Sequence, residues 1–258
     1  MELANRVAIV TGGGRAIGRA IALRLALAGA QVVITGRQHE ELAAAAREIQ
    51  ALGRRALAVT GDVSQEEQVH AMTAAALDEF GRIDILVNNA GIIGPTAPVA
   101  MISRKEWDEV LAVNLTGAFL CAKAVLPKMM EQRSGKIINI ASVAGRLAYP
   151  LRSPYAVSKW GMIGLTRTLA QEAGPYNIQV NAVCPGPVEG ERMQRVIAQR
   201  AQELGRSVEE VERAYTETTA LKRMVREDDV AALVAFLASA GADNITGQAI
   251  DVSAGYAL

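Results

Sequence analysis

The fold of this chain is decided by the segment Thr11-Gly12-Gly13-Gly14-Arg15-Ala16-Ile17-Gly18. The segment follows the β-branched run Val7–Thr11 and opens a stretch of helical period at residues 16–28. Glycines at such a junction let the backbone turn sharply and approach a pyrophosphate, whose charge is stabilised by free amides and by the helix dipole. A tight structural turn would use the same glycines, but the position at a first strand–helix junction favours a dinucleotide site that includes Gly12, Arg15, Ile17 and Gly18.

Outward from this turn, short β-branched runs alternate with longer stretches that are rich in alanine and leucine and have helical period. The predicted strands are Val7–Thr11, 32–35, Ala56–Thr60, 83–87, 136–141, 178–184 and 248–252. Strand–helix alternation implies right-handed crossovers and places helices on both faces of a parallel sheet. The sequence therefore predicts an α/β fold with a doubly wound, parallel, seven-stranded sheet of the Rossmann-like kind.

Two sequence patterns mark helix starts. Ser64 is followed three residues later by Glu67, and Ser103 by Glu106, so both pairs match a capping box. We expect a helix to begin next to each serine.

A single domain is predicted for residues 1–258, because no repeat, low-complexity tract or linker appears before residue 187. Residues 187–225 are a charged, helix-patterned insertion that precedes the last helix and strand. The insertion follows the carboxyl end of a strand, where ligands bind in open α/β sheets, so we expect a flap that covers the substrate. A surface elaboration without a role in binding is the alternative.

Charge and cysteine content limit the classes of binding partner and the cellular location that we expect. Lys+Arg and Asp+Glu both number 27, and neither half carries a run of like charges, so we expect a small-molecule substrate and no nucleic-acid or membrane partner. Residues 1–10 contain no basic leader region. Cys121 and Cys184 lie in apolar surroundings without a Cys-x-x-Cys pair, which favours a reducing, cytoplasmic location.

Histidine chemistry is not expected in this chain. The two histidines, His39 and His70, lie in polar, helix-patterned stretches beside glutamates, and we interpret both as surface residues. Neither a metal site nor a Ser-His-Asp triad is therefore expected. Proton transfer must come from another residue type.

The residues after the second strand bear on the choice of cofactor. A carboxylate there would bind both adenosine ribose hydroxyls and repel a 2′-phosphate, but the chain has Gly36 and Arg37 instead. Arg15 of the glycine turn and Arg37 can converge on a phosphate through charge-assisted bonds. We therefore expect NADP(H) to be preferred, with NAD(H) as the alternative if the arginines are solvated loop residues.

Polar residues also follow the third and fourth predicted strands. Asp62 and Val63 follow the third strand, and Asn88-Asn89-Ala90-Gly91 follows the fourth. Ligands bind at the carboxyl ends of neighbouring strands, where an aspartate accepts from the adenine amino group and asparagines hold the loop and contact the cofactor. We assign to cofactor binding Asp62, Val63, Asn89, Ala90 and Gly91.

Tyr155 and Lys159 are four residues apart in a helical stretch, so their side chains share one face. This pair is a weak signal by itself, but it follows a strand that ends near Ser142, in a chain that carries a dinucleotide turn. A nearby ammonium stabilises a phenolate, so Lys159 allows Tyr155 to serve as a base near neutral pH. Ser142 can donate to the substrate oxygen, and Asn114 can hold a water chain between Lys159 and solvent.

In their order and spacing, these residues resemble the short-chain dehydrogenase/reductase family over essentially the whole chain. The matching positions are 11–18, Asp62, 88–91, Asn114, Ser142, Tyr155, Lys159 and Pro185-Gly186. The resemblance implies a catalytic tetrad of Asn114, Ser142, Tyr155 and Lys159. It implies that the cofactor also contacts Tyr155, Lys159, Pro185, Gly186 and the backbone of Val188. It further implies the strand order 3-2-1-4-5-6-7 and assembly as a homotetramer, or less often a dimer.

The chain departs from the family pattern at Ala16, where glycine is usual, and at Gly190, where threonine is usual. Ala16 adds a methyl group near the expected pyrophosphate path, and Gly190 removes a hydroxyl near the carboxamide. The insertion also resembles the lid of hydroxybutyrate dehydrogenases, in which a basic residue at the position of Arg152 meets the substrate carboxylate. Ile93 and Ala144 occupy positions that are polar in that subfamily, so a loop role for Arg152 is the alternative.

The sequence thus predicts an NAD(P)-dependent oxidoreductase that transfers a hydride between NADP(H), or NAD(H), and a ketone or secondary alcohol. A small polar or acid-bearing substrate would bind Ser142, Arg152 and Tyr155. One alternative is reduction of 3-oxoacyl chains on an acyl carrier, for which Arg192 and Arg195 would supply basic surface beside the site. The alternative of another class is a non-catalytic dinucleotide-binding sensor or scaffold.

Overall fold

Residues 2–257, which the computed structural model describes, contain seven strands in one sheet. They are β1 (Val7–Thr11), β2 (Gln31–Gly36), β3 (Ala56–Thr60), β4 (Ile85–Asn88), β5 (Gly135–Ile140), β6 (Ile178–Pro185) and β7 (Ala249–Val252). Neighbouring strands pair in parallel in the order β3-β2-β1-β4-β5-β6-β7. The predicted doubly wound, Rossmann-like sheet and its strand order are confirmed.

Helices cover both faces of this sheet. They are α1 (Ala16–Leu27), α2 (His39–Ala51), α3 (Glu66–Phe80), α4 (Arg104–Leu111), α5 (Gly117–Gln132), α6 (Ser153–Ala173), α7 (Glu191–Leu204), α8 (Val208–Glu217) and α9 (Glu227–Ala238). Helices α1, α2 and α9 pack on one face, and α3, α5 and α6 pack on the other. Because all the strands run parallel, their carboxyl ends and the loops that follow them lie together at one edge of the sheet.

The inner strands of the sheet are rich in β-branched residues because both of their faces are buried. Within β1, Ala8 and Val10 belong to the apolar cluster under α1, whereas Val7 and Ile9 belong to the cluster under α5. Successive strand residues point to opposite faces, so a strand between two helical layers has no polar side. This explains why the continuous apolar runs of the sequence predict the strands well.

A buried carboxylate joins the amino ends of β1 and β4. Asp84 is 3% exposed, accepts bonds from Arg82 at 2.6 and 2.8 Å and from Arg6 at 2.9 Å, and accepts the Val7 N–H at 2.9 Å. Burial by itself raises the pKa of Asp84, but the bonds from Arg82, Val7 and Arg6 outweigh it, so the pKa is lowered overall. This contact lies at the edge of the sheet opposite to the glycine turn.

One of the two predicted helix caps is wrong. Ser103 and Glu106 form a capping box at the start of α4, as predicted. Helix α3 instead begins at Glu66 with Gln65 as its N-cap residue, and Ser64 does not cap it. The Ser64 hydroxyl donates to the Asp62 carboxylate at 2.8 Å, because the strand-end turn positions the serine toward that acceptor.

The insertion at residues 187–225 consists mainly of α7 and α8, which share a small apolar cluster of their own. Its two ends meet at an isolated parallel bridge between Val188 and Val225. The Glu189 N–H donates to the Val225 carbonyl, and the Val225 N–H donates to the Pro187 carbonyl, both at 2.8 Å. We call this contact the neck of the insertion.

A long apolar helix runs from Arg104 to Gln132 and is long and apolar enough to cross a membrane by length and composition. It comprises α4, a π-helical segment at Ala112–Thr116, and α5. Its residues Cys121, Val125 and Met129 are fully buried against the sheet. We therefore interpret its apolar character as that of a core helix.

Candidate active site

A cavity of about 910 Å³ lies at the carboxyl ends of the strands and extends from the glycine turn to α7 and α8. All but one of the residues that the sequence assigned to cofactor, substrate or catalysis lie on its wall. These are Gly12, Arg15, Ile17, Gly18, Arg37, Asp62, Val63, Asn89, Ala90, Gly91, Ser142, Arg152, Tyr155, Lys159, Pro185, Gly186 and Val188. The exception, Asn114, is fully buried next to this wall.

The turn after β1 has the form of a cradle for a pyrophosphate. Gly12 has a φ of +63°, and a Cβ atom on Gly18 would lie 2.0 Å from the Gly12 carbonyl oxygen, so only glycine fits at either residue. The backbone is left open along the cavity, and the residues present therefore fit a dinucleotide. Ala16 has a φ of +46°, a left-handed conformation that costs an alanine energy but not a glycine.

The loop after β4 is tied to this turn. Asn89 Nδ2 donates to the carbonyl oxygens of Thr11 at 2.9 Å and Gly12 at 3.2 Å. The Thr11 hydroxyl accepts the Ala90 N–H at 3.0 Å. Asn88 points away from the cavity into the core, where its amide donates to Asn139. The first asparagine of the pair therefore supports the sheet and the second holds the cradle.

Charged residues converge where β2 and β3 end. Arg15 Nη1 lies 3.5 Å from a carboxylate oxygen of Glu41, and Arg37 is exposed on the same wall. Across the cavity, Asp62 accepts the N–H and the hydroxyl of Ser64 at 2.9 and 2.8 Å, which fixes its carboxylate beside Val63. This end of the cavity thus combines two guanidinium groups with two carboxylates.

Tyr155 and Lys159 lie one turn apart on α6 and face the cavity together. The Nζ atom of Lys159 is 5.7 Å from the centroid of the Tyr155 ring. The same Nζ donates to the Ile140 carbonyl at 2.7 Å, which orients the lysine from the end of β5. The phenol and the ammonium therefore point to the same side, as the enzyme prediction requires.

Lys159 is 3% exposed, and its titration is shifted strongly. Burial, together with the smaller effect of the nearby Arg192 guanidinium, lowers the pKa of Lys159 to about 7. Arg192 Nη1 lies within the cavity, where it donates to the Gly91 carbonyl at 3.4 Å. The lysine can therefore exchange a proton close to neutral pH.

Ser142 and Asn114 complete the predicted tetrad. The Ser142 oxygen accepts the Ala144 N–H at 3.1 Å, so its hydroxyl proton stays available for the cavity. Asn114 lies in the π-helical segment, accepts the Ile92 N–H at 2.7 Å and donates to the Ser158 hydroxyl at 3.1 Å. π-Helical turns are rare and often occur at functional sites, because they re-aim one side chain out of the helical pattern.

Arg152 is a buried cation without a carboxylate partner among the described residues. It is 2% exposed, its Nη2 donates to Gln199 of α7 at 3.3 Å, and its Nη1 has no hydrogen-bond partner. Burial lowers the pKa of Arg152, and the groups that face it include the phenols of Tyr149 and Tyr215 and the guanidinium of Arg200. Such a group is costly to bury unless an anion meets it.

Four further residues of the cavity wall were not predicted from the sequence. Glu41, Tyr149, Tyr215 and Tyr256 all line the wall. The hydroxyls of Tyr149 and Tyr215 are 3.2 Å apart and join the body to the insertion, and Tyr215 stacks on Tyr256 at 6.4 Å between centroids. Burial raises the pKa of Tyr149. No local sequence signal marks these tyrosines, because they meet only through tertiary packing.

Together, a pyrophosphate cradle and a phenol–ammonium–hydroxyl cluster in one cavity define an oxidoreductase that depends on a nicotinamide dinucleotide. The comparisons with known proteins agree with this class. The profile of the short chain dehydrogenase family matches residues 6–202, and the chain belongs to the short-chain dehydrogenase/reductase family.

Known members resemble the chain along its whole length. It is 38% identical over 252 residues to the 3-oxoacyl-(acyl-carrier-protein) reductase FabG of Staphylococcus epidermidis, and the aligned region covers 97% of this chain and 98% of that protein. The structure of NAD⁺-bound xylitol dehydrogenase superposes with a TM-score of 0.96 at 33% identity, covering 99% of this chain and 100% of the other. A single-substitution variant of actinorhodin polyketide ketoreductase with NADPH gives a TM-score of 0.93 at 36% identity, covering 98% and 97%.

Proposed function

We propose that this chain catalyses the reversible, NADP(H)-linked interconversion of a ketone and a secondary alcohol, with Tyr155 as the proton-transfer group. The observation that carries the proposal is the cluster of Tyr155, Lys159 and Ser142 in the cavity that begins at the glycine turn. When bound, the nicotinamide supplies or accepts the hydride. The protein residues bind and orient the substrate and transfer the proton.

Proton transfer is assigned to the tetrad. Tyr155 gives its phenolic proton to the substrate oxygen during reduction, and the ammonium of Lys159 stabilises the phenolate that remains. Ser142 donates a second hydrogen bond to that oxygen, where negative charge builds. Asn114 and Lys159 both lie close to Gly91, which supports a water route from the lysine past the asparagine to solvent.

The preference for NADP(H) is supported by the charges at the end of β2. Gly36 offers no carboxylate to the ribose hydroxyls, and Arg15 and Arg37 lie on the same wall. The contacts proposed for the rest of the cofactor are Gly12, Ile17, Gly18, Asp62, Val63, Asn89, Ala90, Gly91, Tyr155, Lys159, Pro185, Gly186 and the backbone of Val188. The NAD⁺ and NADPH complexes among the similar structures leave NAD(H) as the alternative.

An acid-bearing substrate is supported by Arg152. Its Nη1 has no hydrogen-bond partner among residues 2–257, and with 2% exposure this leaves a guanidinium that a substrate carboxylate would satisfy. Arg152 and Tyr155 lie within one turn at the start of α6, so the acid and the reacting carbonyl would be close in a short substrate. The apolar wall contributed by Ile93, Met193 and Val196 would hold the remaining carbon chain.

The insertion at residues 187–225 is proposed as the substrate cover within a single domain of residues 1–258. Support comes from Tyr215 of α8, which reaches Tyr149 of the body, and from Gln199 of α7, which reaches Arg152. Both contacts lie beside the substrate end of the cavity.

Reduction of 3-oxoacyl chains on an acyl carrier is the second candidate, favoured by the similarity to the Staphylococcus epidermidis enzyme. The two arginines that would form a basic mouth give it little support. Arg192 turns inward to the Gly91 carbonyl, and Arg195 lies 4.0 Å from the Glu191 carboxylate. A free oxo acid is therefore preferred over a carrier-bound chain.

We further propose a cytoplasmic homotetramer. The exposed apolar side chains include Phe119, Val157 and Trp160 on α5 and α6, and Phe236 on α9. Two-fold contacts through the α5–α6 surface and through α9 would together make a tetramer. The buried free thiols of Cys121 and Cys184 fit a reducing compartment.

Replacement of Tyr155 tests the proposal most directly. Tyr155→Phe should lower kcat by about 10³-fold with NADPH and a panel of oxo acids, because the proton donor is lost while the ring remains. Tyr176→Phe, which alters a tyrosine outside the cavity, is the matched control and should leave kcat unchanged. Turnover by the Tyr155 variant at the rate of the control would refute the assigned role.

A further inference from the structure

We propose that Glu41 is a specificity-determining residue that weakens binding of the cofactor 2′-phosphate by competing for Arg15. The inference rests on the proposed dinucleotide binding and deepens it. Glu41 Oε1 lies 3.5 Å from Arg15 Nη1, on the wall that also contains Gly36 and Arg37. A carboxylate therefore occupies the corner where the two arginines would meet a phosphate.

The backbone holds Glu41 at this corner. Glu41 is the third residue of α2, and the packing of α2 against the glycine turn is close enough that a Cβ atom on Gly14 would lie 3.1 Å from the Glu41 Cβ. The carboxylate can turn away, but its backbone cannot move without disturbing the cradle. A bound 2′-phosphate must then take Arg15 from Glu41 while its own charge repels that carboxylate.

This competition has a defined chemical consequence. A ribose without the 2′-phosphate makes no demand on Arg15, so the ion pair with Glu41 persists and the affinity for such a ligand is unaffected. A ribose with the 2′-phosphate gains a contact with Arg37, but it shares the Arg15 guanidinium with the Glu41 carboxylate. The carboxylate thus brings the two dinucleotides closer in affinity than the arginines alone would.

An ordinary structural role for Glu41 makes a different prediction. Acidic residues in the first turn of a helix stabilise it through the helix dipole, and α2 carries both Glu40 and Glu41 there. Glu40 is exposed and does not line the cavity. Glu40→Gln is therefore a matched control that loses the same charge from the same turn.

The experiment measures binding of adenosine fragments by calorimetry, so it needs neither substrate nor turnover. The full chain and its variants are titrated with 2′,5′-ADP and with 5′-AMP, which differ in the 2′-phosphate. Glu41→Gln should tighten 2′,5′-ADP by about 3- to 10-fold at low salt, with the gain lost near 0.5 M salt because the effect is electrostatic. Its affinity for 5′-AMP should not change, which also shows that the variant is folded.

The remaining outcomes separate the two hypotheses. Glu40→Gln should leave both ligands unchanged, and Arg15→Met introduced into the Glu41→Gln protein should abolish the gain. Equal effects of the Glu40 and Glu41 variants, or no change in 2′,5′-ADP affinity with Glu41→Gln, would overturn the role of Glu41. Tighter binding of 5′-AMP than of 2′,5′-ADP by the unmodified chain would instead refute the proposed NADP(H) preference.

Discussion

Replacing Lys159 by methionine should stabilise the dinucleotide-free protein while it abolishes catalysis. The side chain is fully enclosed, and its pKa falls from 10.5 to about 7. A shift of one pKa unit corresponds to about 1.36 kcal/mol, so holding the ammonium in the folded state costs about 5 kcal/mol below neutral pH. Methionine removes this cost but leaves the Ile140 carbonyl without its donor, a loss of about 1–3 kcal/mol. We therefore expect a net gain of about 2–4 kcal/mol near pH 6.

The sign of the pH dependence follows from the same shift. Because the pKa of Lys159 is lower in the folded chain, the unfolded chain binds more protons between about pH 7 and pH 10.5, and the stability of the unmodified protein rises with pH there. The advantage of Lys159→Met should therefore shrink as the pH rises through this window. Lys105→Met, a change at an exposed lysine of α4, should show no such trend.

Urea unfolding from about pH 6 to about pH 9.5 measures this difference, with the protein concentration fixed because assembly also contributes to stability. If the free energies of unfolding of Lys159→Met and the unmodified chain differ by the same amount at every pH, a buried, titrating ammonium is refuted. A variant less stable than the unmodified chain at every pH would refute the magnitude derived from burial.

Two further changes test the cradle and the substrate end. Gly18→Ala should lower the free energy of unfolding by about 3 kcal/mol or more, because the new Cβ would meet the Gly12 carbonyl at 2.0 Å. The control is Gly164→Ala in α6, which has open space around it and should raise the free energy of unfolding by about 0.5–1 kcal/mol. A small effect of Gly18→Ala in urea unfolding would argue against a rigid cradle. Arg152→Met should raise the KM for short oxo acids about 10- to 100-fold relative to their methyl esters, and should stabilise the fold by about 1–2 kcal/mol because an unpaired buried charge is removed. Equal KM values for acids and esters in the unmodified enzyme would contradict an acid-bearing substrate.

The strands and the cradle were predictable because their causes are local. The run Val7–Thr11 is buried at every position since β1 is covered on both faces, and the glycines that follow are required by backbone geometry. Tyr155 and Lys159 could be matched in advance because a four-residue spacing on one helix fixes their common face.

Other features depend on contacts that no local pattern encodes. The hydroxyl of Ser64 is drawn to Asp62, so the apparent capping box at the start of α3 does not form. The contact between Tyr149 and Tyr215 joins residues 66 positions apart in the chain, and no local sequence signal marks the π-helical segment around Asn114. Glu41 was overlooked because an acidic residue in the first turn of a helix is ordinary, and only its proximity to Arg15 distinguishes it.

The neck between Val188 and Val225 has an evolutionary consequence. Both ends of the two-helix insertion leave the sheet at one point, joined by backbone bonds that depend little on side-chain identity. A segment attached in this way can be lengthened, shortened or exchanged between relatives while the strands and the glycine turn keep their positions. For the substrate cover that we propose, specificity for new metabolites can therefore diversify at low risk to folding, and chimaeras joined at these two valines are a practical route to redesign.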